Sequence, residues 1–477
     1  MTSAMTTALE VEGLRIAVRE KSLVHGVSLT VRVGKPLTIV GDTGSGKSLV
    51  AEAIMGILPR ELTASGRVAI AGTTYDASQT AARRGLWGRA IAMLPQEPWL
   101  SLDPTMRAAA QVAEVHRLVR GTSAKVARER AQSELARLGL GDAGRKFPFQ
   151  LSGGMGQRLA LAATHAGGAG ILIADEPTKG LDAALCGEVV ALLRGEVARG
   201  AALITITHDI AVARGLGGEV AVMLDGRIIE QGPAERVLVA PSHDYTRRLL
   251  AADPSAWPER AATKGGEVVL AAEGLAKALG GRTLFQGLDL RIQSGQTVAV
   301  TGPSGCGKTT LGNLLLGLMP ADAGKVARAP GKPAVAYQKI YQDPPAAFAP
   351  RASLRTALAD VCQRHGIAWA KVEPLMARMR LAPSLLDRLP DQVSGGELQR
   401  FALVRVLLLD PVFVFADEAT SRLDPITQQE VMALLREAVD ERGFAMLLVT
   451  HDRALAAKVA DRSFALDHES LQPAKAA

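Results

Sequence analysis

The chain has 477 residues, 48% of them hydrophobic, 22% charged and only 4% aromatic, with a net charge of +7. This is the composition of folded globular domains, not of a disordered polypeptide, and the length exceeds what one typical core supports. The positive charge is spread along the chain without a basic run, which excludes the clustered footprint of a nucleic-acid binder, so no nucleic-acid partner is expected. No apolar run reaches the roughly 18 residues that span a bilayer. Residues 1–7 lack the basic stretch and apolar block of a secretory signal, so a cytosolic protein with at most a peripheral membrane role is expected. Cys186, Cys306 and Cys362 are too scattered for a disulfide framework or a metal site.

In chain order, a short strand from Leu37 to Val40 feeds the loop Gly41-Asp42-Thr43-Gly44-Ser45-Gly46-Lys47-Ser48. The helix that follows is broken by Pro59. Gln96 comes next, then a stretch from Arg107 to Gly139 that reads as helix. Ser152-Gly153-Gly154 opens another helix, and the apolar run Ile171 to Ala174 ends in Asp175-Glu176. A further strand, Ala202 to Ile206, leads into Thr207-His208-Asp209. Residues 251–267, rich in Pro, Ala, Gly and charge, read as a link between a first domain at 1–250 and a second at 268–477.

The second domain states the same series again. Thr297 to Val300 feeds Gly302-Pro303-Ser304-Gly305-Cys306-Gly307-Lys308-Thr309, and Pro320 breaks the helix behind it. Gln342, a helical stretch from Ser353 to Leu381, Ser394-Gly395-Gly396, Asp417-Glu418 after an apolar run, and Thr450-His451-Asp452 follow in order. Lys47 and Lys308 are 261 residues apart, Gln96 and Gln342 are 246, and Asp175 and Asp417 are 242. The second copy is therefore shortened mainly between its lysine and its glutamine, and the register beyond is nearly constant. Strand–loop–helix alternation predicts a parallel α/β core in each copy.

The residue types point to one chemistry. Glycines let backbone N–H groups converge on phosphate oxygens at the positive end of a helix. Lys47 and Lys308 would reach the β/γ-phosphates, and Ser48 and Thr309 would offer a hydroxyl to Mg²⁺. Asp175 and Asp417 are read as Mg²⁺ ligands, Glu176 and Glu418 as acceptors of a proton from the attacking water. Gln96 and Gln342 would orient that water or touch Mg²⁺, and His208 and His451 would contact the γ-phosphate. Ser152-Gly153-Gly154 and Ser394-Gly395-Gly396 are generic helix starts that also make anion sites. A glycine-rich turn or a structural histidine explains any one of these alone; ordered duplication does not fit that explanation. Cys306 reads as a small residue fitted to its turn.

These residues resemble the ATP-binding cassette family, with Walker A, Q-loop, signature, Walker B, D-loop and H-loop each present twice. The D-loops would be Gly180-Leu181-Asp182 and Arg422-Leu423-Asp424. The resemblance implies an α/β fold of two P-loop ATPase domains in tandem. Each would carry a parallel core, an antiparallel β-subdomain (reduced in the second copy) and a helical signature subdomain. It implies ATP and Mg²⁺ as ligands, with each signature completing the other copy's site. Gln96 to Pro104 and Pro241 to Leu250 look like segments of oligopeptide, dipeptide, nickel and opine importer ATPases. The implied partners are two transmembrane permeases and an extracytoplasmic solute-binding protein, at the cytoplasmic face of the inner membrane. Departures are the missing cysteine cluster after Pro241 to Leu250, a second copy that stops near Leu466 without that segment, and no adenine-stacking aromatic near Val18 or Leu279. The competing readings are a fused energy-coupling-factor ATPase for vitamins or metals, and a soluble tandem ATPase acting on ribosomes.

Overall fold

The computed structural model describes residues 6–467, except 182, 261, 262, 264 and 304, together with residues 470–473. The chain divides into two compact units, Met1–Leu250 and Ala251–Ala477.

The first unit contains β1 (Thr7–Val18), β2 (Lys21–Arg32), β3 (Leu37–Val40), β4 (Leu62–Ile70), β5 (Thr73–Asp76), β6 (Ile91–Leu94), β7 (Ile171–Asp175), β8 (Ala202–Thr207), β9 (Glu219–Leu224) and β10 (Arg227–Pro233). An antiparallel sheet runs β2-β1-β4-β5, and a second sheet runs β10-β9-β3-β8-β7-β6. All pairs of the second sheet are parallel except β9 with β10. Its central strands β3, β7 and β8 are buried at every position because both faces are covered. Along β7, Ile171 and Ile173 face the core shared with β1, β2 and the helix Lys47–Met55. Leu172 and Ala174 face the opposite core, built with the helices Ala108–Leu118 and Gly153–Ala166. Successive side chains on a strand alternate faces, so one short run seals two cores.

The second unit repeats the plan with β11 (Val268–Leu279), β12 (Arg282–Gln293), β13 (Thr297–Thr301), β14 (Ala323–Arg328), β15 (Tyr337–Ile340), β16 (Phe413–Asp417), β17 (Ala445–Val449), β18 (Arg462–Asp467) and β19 (Ser470–Pro473). Its main sheet, β15-β16-β17-β13-β18-β19, has the strand order of the first unit's. Phe413 and Phe415 point into one core, Val414 and Ala416 into the other. The antiparallel sheet keeps three strands, β12-β11-β14, where the first unit has four. The expected reduction is thus the loss of a partner for β14 equivalent to β5.

Each long helical stretch is two helices. Gly121 takes a left-handed φ of 67° after Ala108–Leu118, and the Ser123 hydroxyl caps Ala124–Arg137 by accepting from Val126 N. In the second unit Gly366, at φ 64°, ends Leu354–His365 before Val372–Arg378. A residue that readily takes positive φ ends a helix where apolar periodicity alone suggests continuation.

The described part of residues 251–267 lies as a strap on the second unit. Trp257 is buried in that unit's core, with its indole N–H donating to Ala252 O at 3.1 Å. Arg260 pairs with Asp440 at 2.7 Å and with Asp461 at 3.3 Å. Trp257→Ala is expected to destabilise the second unit by about 3–5 kcal/mol through the cavity it leaves. Chemical denaturation of the full chain measures this, and an unchanged midpoint would show that the strap contributes nothing to that core.

Candidate nucleotide sites

Both phosphate loops leave the C-terminal end of a central strand and enter a helix, Lys47–Met55 or Lys308–Leu315. The first glycine of each loop is fixed by contact. A Cβ on Gly41 would stand 2.1 Å from Met223 O, and one on Gly302 would stand 2.4 Å from Leu466 O. The glycine before each lysine is left-handed, Gly46 at φ 97° and Gly307 at φ 106°, which turns the chain into the helix. Lys47 Nζ donates to Gly41 O and Asp42 O, each at 2.7 Å, and to Ser45 Oγ at 3.2 Å. Lys308 Nζ donates to Gly302 O at 2.8 Å and Pro303 O at 2.9 Å. Each buried ammonium is thereby held across the mouth of its loop. Thr43, Gly44 and Gly305 are exposed at the loop crests, and Ser304 lies outside the described residues. Cys306 is buried and its thiol is pushed up by burial, which fits a turn residue.

Under each loop lie the acidic residues. Thr309 Oγ1 donates to Asp417 Oδ1 at 2.9 Å, and the Ser48 hydroxyl stands beside Asp175 at the same place in the first unit. Burial pushes the Asp175 carboxyl up to about 6, with the Glu176 charge adding and Ser48 and Lys47 opposing. Glu52, one helical turn behind the loop, is also raised, by burial and by the charge of Asp175. Glu176 and Glu418 both have positive φ, 47° and 46°. Their N–H groups donate across the sheet to Ile206 O at 2.7 Å and Val449 O at 2.9 Å. A left-handed glutamate costs on the order of 1–3 kcal/mol, and such strain persists only where the surroundings over-determine it.

Each glutamate meets its histidine. His208 Nδ1 is 2.8 Å from Glu176 Oε1, and the Thr207 hydroxyl donates to Glu176 Oε2 at 3.2 Å. His451 Nδ1 is 3.6 Å from Glu418 Oε1. Burial favours the neutral forms, but the bond and charge of His208 outweigh it and hold Glu176 below the usual range. Glu418 is likewise lowered against burial by His451. The glutamates in turn raise His208 and His451. Gln342 Nε2 donates to Glu418 Oε2 at 2.8 Å, whereas Gln96 is exposed and makes no side-chain hydrogen bond among the described residues.

Ser152 and Ser394 cap the helices Gly153–Ala166 and Gly395–Leu408 by accepting from Met155 N at 3.4 Å and Glu397 N at 3.2 Å. Gly153 and Gly395 are exposed. Gly154 and Gly396 are buried, and a Cβ there would meet Leu185 Cδ2 at 2.7 Å and Thr427 Cγ2 at 2.3 Å. The first glycine of each pair leaves the helix N-terminus bare, and the second seats it. Asp424 caps Pro425–Arg442 by accepting from Thr427 N at 2.9 Å, while Asp182 lies outside the described residues.

The family described as ABC transporter matches residues 24–179 and 285–421, one segment in each unit. The chain belongs to this ATP-binding cassette family. The peptidoglycan transport ATP-binding protein YejF of Agrobacterium fabrum is 31% identical over 93% of this chain and 87% of its own length. The glutathione import ATP-binding protein GsiA of Escherichia coli is 31% identical over 95% of this chain and 84% of its own. Among solved structures, the RNase-L Inhibitor superposes with a TM-score of 0.65 over 97% of this chain and 90% of that one, at 19% identity. An archaeal ribosome recycling factor, in complex with a ribosomal stalk protein, gives 0.66 at 20% identity. These two show the fold alone. The chain is a tandem ABC ATPase of the importer type.

In this ABC ATPase two features escape a motif-by-motif reading. The Asp42 N–H donates to the Tyr245 hydroxyl at 3.0 Å, tying the segment Pro241 to Leu250 to the first phosphate loop. Lys339 Nζ stands 3.0 Å from Asp417 Oδ2, where the first copy has Met93. Residue-by-residue subtraction of the two copies would have exposed the lysine; nothing in one copy alone would have exposed the tyrosine.

The donor chemistry fits Mg²⁺ at the first site. Asp175 Oδ1 is buried without a hydrogen-bond partner among the described residues, next to the Ser48 hydroxyl, and hard oxygen donors suit that ion. An acid whose folded pKa is raised keeps its full contribution to stability below its ordinary 3.8 and loses it as the pH climbs through about 6. Asp175→Asn, neutral throughout, should therefore stabilise the nucleotide-free chain by about 2–3 kcal/mol at pH 7 and by little near pH 4. Urea denaturation at the two pH values checks this, and an equal effect at both would refute the assignment.

Proposed function

We propose that the chain energises an importer by hydrolysing ATP at both of its nucleotide sites, and that its cargo is a peptide, an opine or a nickel or other metal chelate. The observation that carries this reading is the same lysine, hydroxyl–aspartate pair and strained glutamate–histidine pair in each unit. Likeness along nearly the full length to ATP-binding subunits of peptidoglycan and glutathione transport supports the importer reading and a peptide-like cargo.

Gly41 to Ser48 and Gly302 to Thr309 bind the triphosphate, with backbone N–H groups and the lysines positioning its β- and γ-phosphates. Ser48 with Asp175, and Thr309 with Asp417, hold Mg²⁺, which neutralises charge on the phosphate oxygens when bound. Glu176 and Glu418 accept the proton of the attacking water, oriented by His208, His451, Gln96 and Gln342. Ser152, Gly153, Gly154, Ser394, Gly395 and Gly396 offer helix N-termini suited to the γ-phosphate of a nucleotide. The partners in this reading are two permeases and a solute-binding protein, with the chain held peripherally at the cytoplasmic face. No described helix is long and apolar enough to cross a membrane.

Glu176→Gln and Glu418→Gln should each cut ATPase turnover of the assembled transporter by about tenfold or more. An unchanged rate for either would mean that its site does not turn over. Capture of the tagged chain from gently solubilised membranes should bring down two polytopic permeases. Ribosomal proteins with no membrane partner would instead favour a soluble role.

A further inference from the structure

The two sites differ beside the aspartate under the phosphate loop. In the second unit both oxygens of Asp417 are engaged within the protein, Oδ1 by Thr309 at 2.9 Å and Oδ2 by Lys339 Nζ at 3.0 Å. The ammonium is caged, with Asn313 Oδ1 at 3.1 Å and the rings of Phe415 and Tyr341 at 5.0 and 5.3 Å. Its side chain is only 11% exposed, so the contact is built into the fold and is not a surface pair that solvent exchanges freely.

The first unit puts different chemistry at the same addresses. Lys339 pairs with Phe415 between β15 and β16 as Met93 pairs with Ile173 between β6 and β7. Counting from the loop lysines, Asn313 stands where Glu52 stands in the first copy. Met to Lys adds a positive charge and Glu to Asn removes a negative one, while Lys179, whose charge acts on Asp175, is replaced by Ser421, so over these three positions the surroundings of Asp417 are one charge unit more positive than those of Asp175. Asp175 Oδ1, by contrast, has no hydrogen-bond partner among the described residues.

We propose that Lys339 is a resident counter-ion of Asp417, so that the second site takes nucleoside triphosphate with a weaker demand for a divalent cation than the first. An ammonium at 3.0 Å competes for the carboxylate oxygen that a cation would recruit, and it repels the cation itself. It also supplies positive charge near the phosphates, which lessens what the cation has to neutralise. The inference rests on the reading of both loops as nucleotide sites and adds an asymmetry that the repeated motifs conceal.

The test uses the full-length chain and the fluorescent nucleotide mant-ATP, with one site silenced at a time. Lys47→Ala leaves the second site to be read, and Lys308→Ala leaves the first. Between EDTA and saturating Mg²⁺, mant-ATP affinity should change by no more than about threefold at the second site and by about tenfold or more at the first. Lys339→Met, made in the Lys47→Ala chain, should raise the Mg²⁺ dependence of the second site towards that of the first. Met93→Lys, made in the Lys308→Ala chain, should lower that of the first, and this reciprocal arm decides the matter if Lys339→Met fails to fold. Equal Mg²⁺ dependence at both sites, or no response of the folded variants, overturns the proposal while leaving both nucleotide sites in place. Absence of mant-ATP binding to the Lys47→Ala chain at saturating Mg²⁺ overturns the two-site reading as well.

Discussion

A carboxylate buried at the end of an apolar strand, beside the hydroxyl that follows the loop lysine, organises each unit. Burying a charge costs several kcal/mol unless partners gather around it, and the surrounding architecture supplies them. The parallel sheet carries the aspartate to its C-terminal edge, the phosphate loop leaves the neighbouring region of that edge, and the helix after the loop brings the hydroxyl back. The glutamate one position on is forced into a left-handed backbone because its N–H must reach the carbonyl of the adjacent strand. Strand order, loop and strain are thus consequences of one requirement, to hold negative charge where phosphate will sit.

The two copies keep this kernel and diverge around it. The first retains a longer antiparallel sheet and a tyrosine bonded to its phosphate loop; the second has lost a strand and gained a lysine beside its aspartate. His208 lies closer to Glu176 than His451 does to Glu418, while Gln342 reaches its glutamate and Gln96 makes no side-chain hydrogen bond among the described residues. Identity of motif letters therefore coexists with distinct electrostatics. A catalytic motif records which groups meet the ligand, and the field they work in is set by neighbours one turn or one strand away.

That distinction also explains what the sequence made legible. The parallel core, its duplication and the reduced second β-subdomain follow from apolar runs, glycine loops and unequal spacing, all local signals. The shared place of Asp417 and Thr309 is readable because phosphate and Mg²⁺ chemistry restricts residue type there, whereas the sequence assigns His208 to the γ-phosphate and does not disclose its contact with Glu176. Lys339 was not readable from its own strand, since a charged letter in a short strand does not announce whether it faces water or a carboxylate; the register between β15 and β16 decides it. The division of Arg107 to Gly139 into two helices is hidden by apolar periodicity on both sides, and the positive φ of Gly121 with the Ser123 cap marks the break.

The close approach at the start of each phosphate loop has a consequence for biosynthesis. Gly41 abuts Met223 O, and Ser45 O accepts from Gly226 N, so the first loop is shaped by a strand made about 180 residues later. Gly302 depends in the same way on Leu466. Chains grow from the N-terminus at about 5–20 residues per second and domains fold as units. The first nucleotide pocket can therefore mature while its twin is still being translated, and the second acquires its shape only once its closing strand has emerged. Two sites alike in motif are born in sequence, seconds apart.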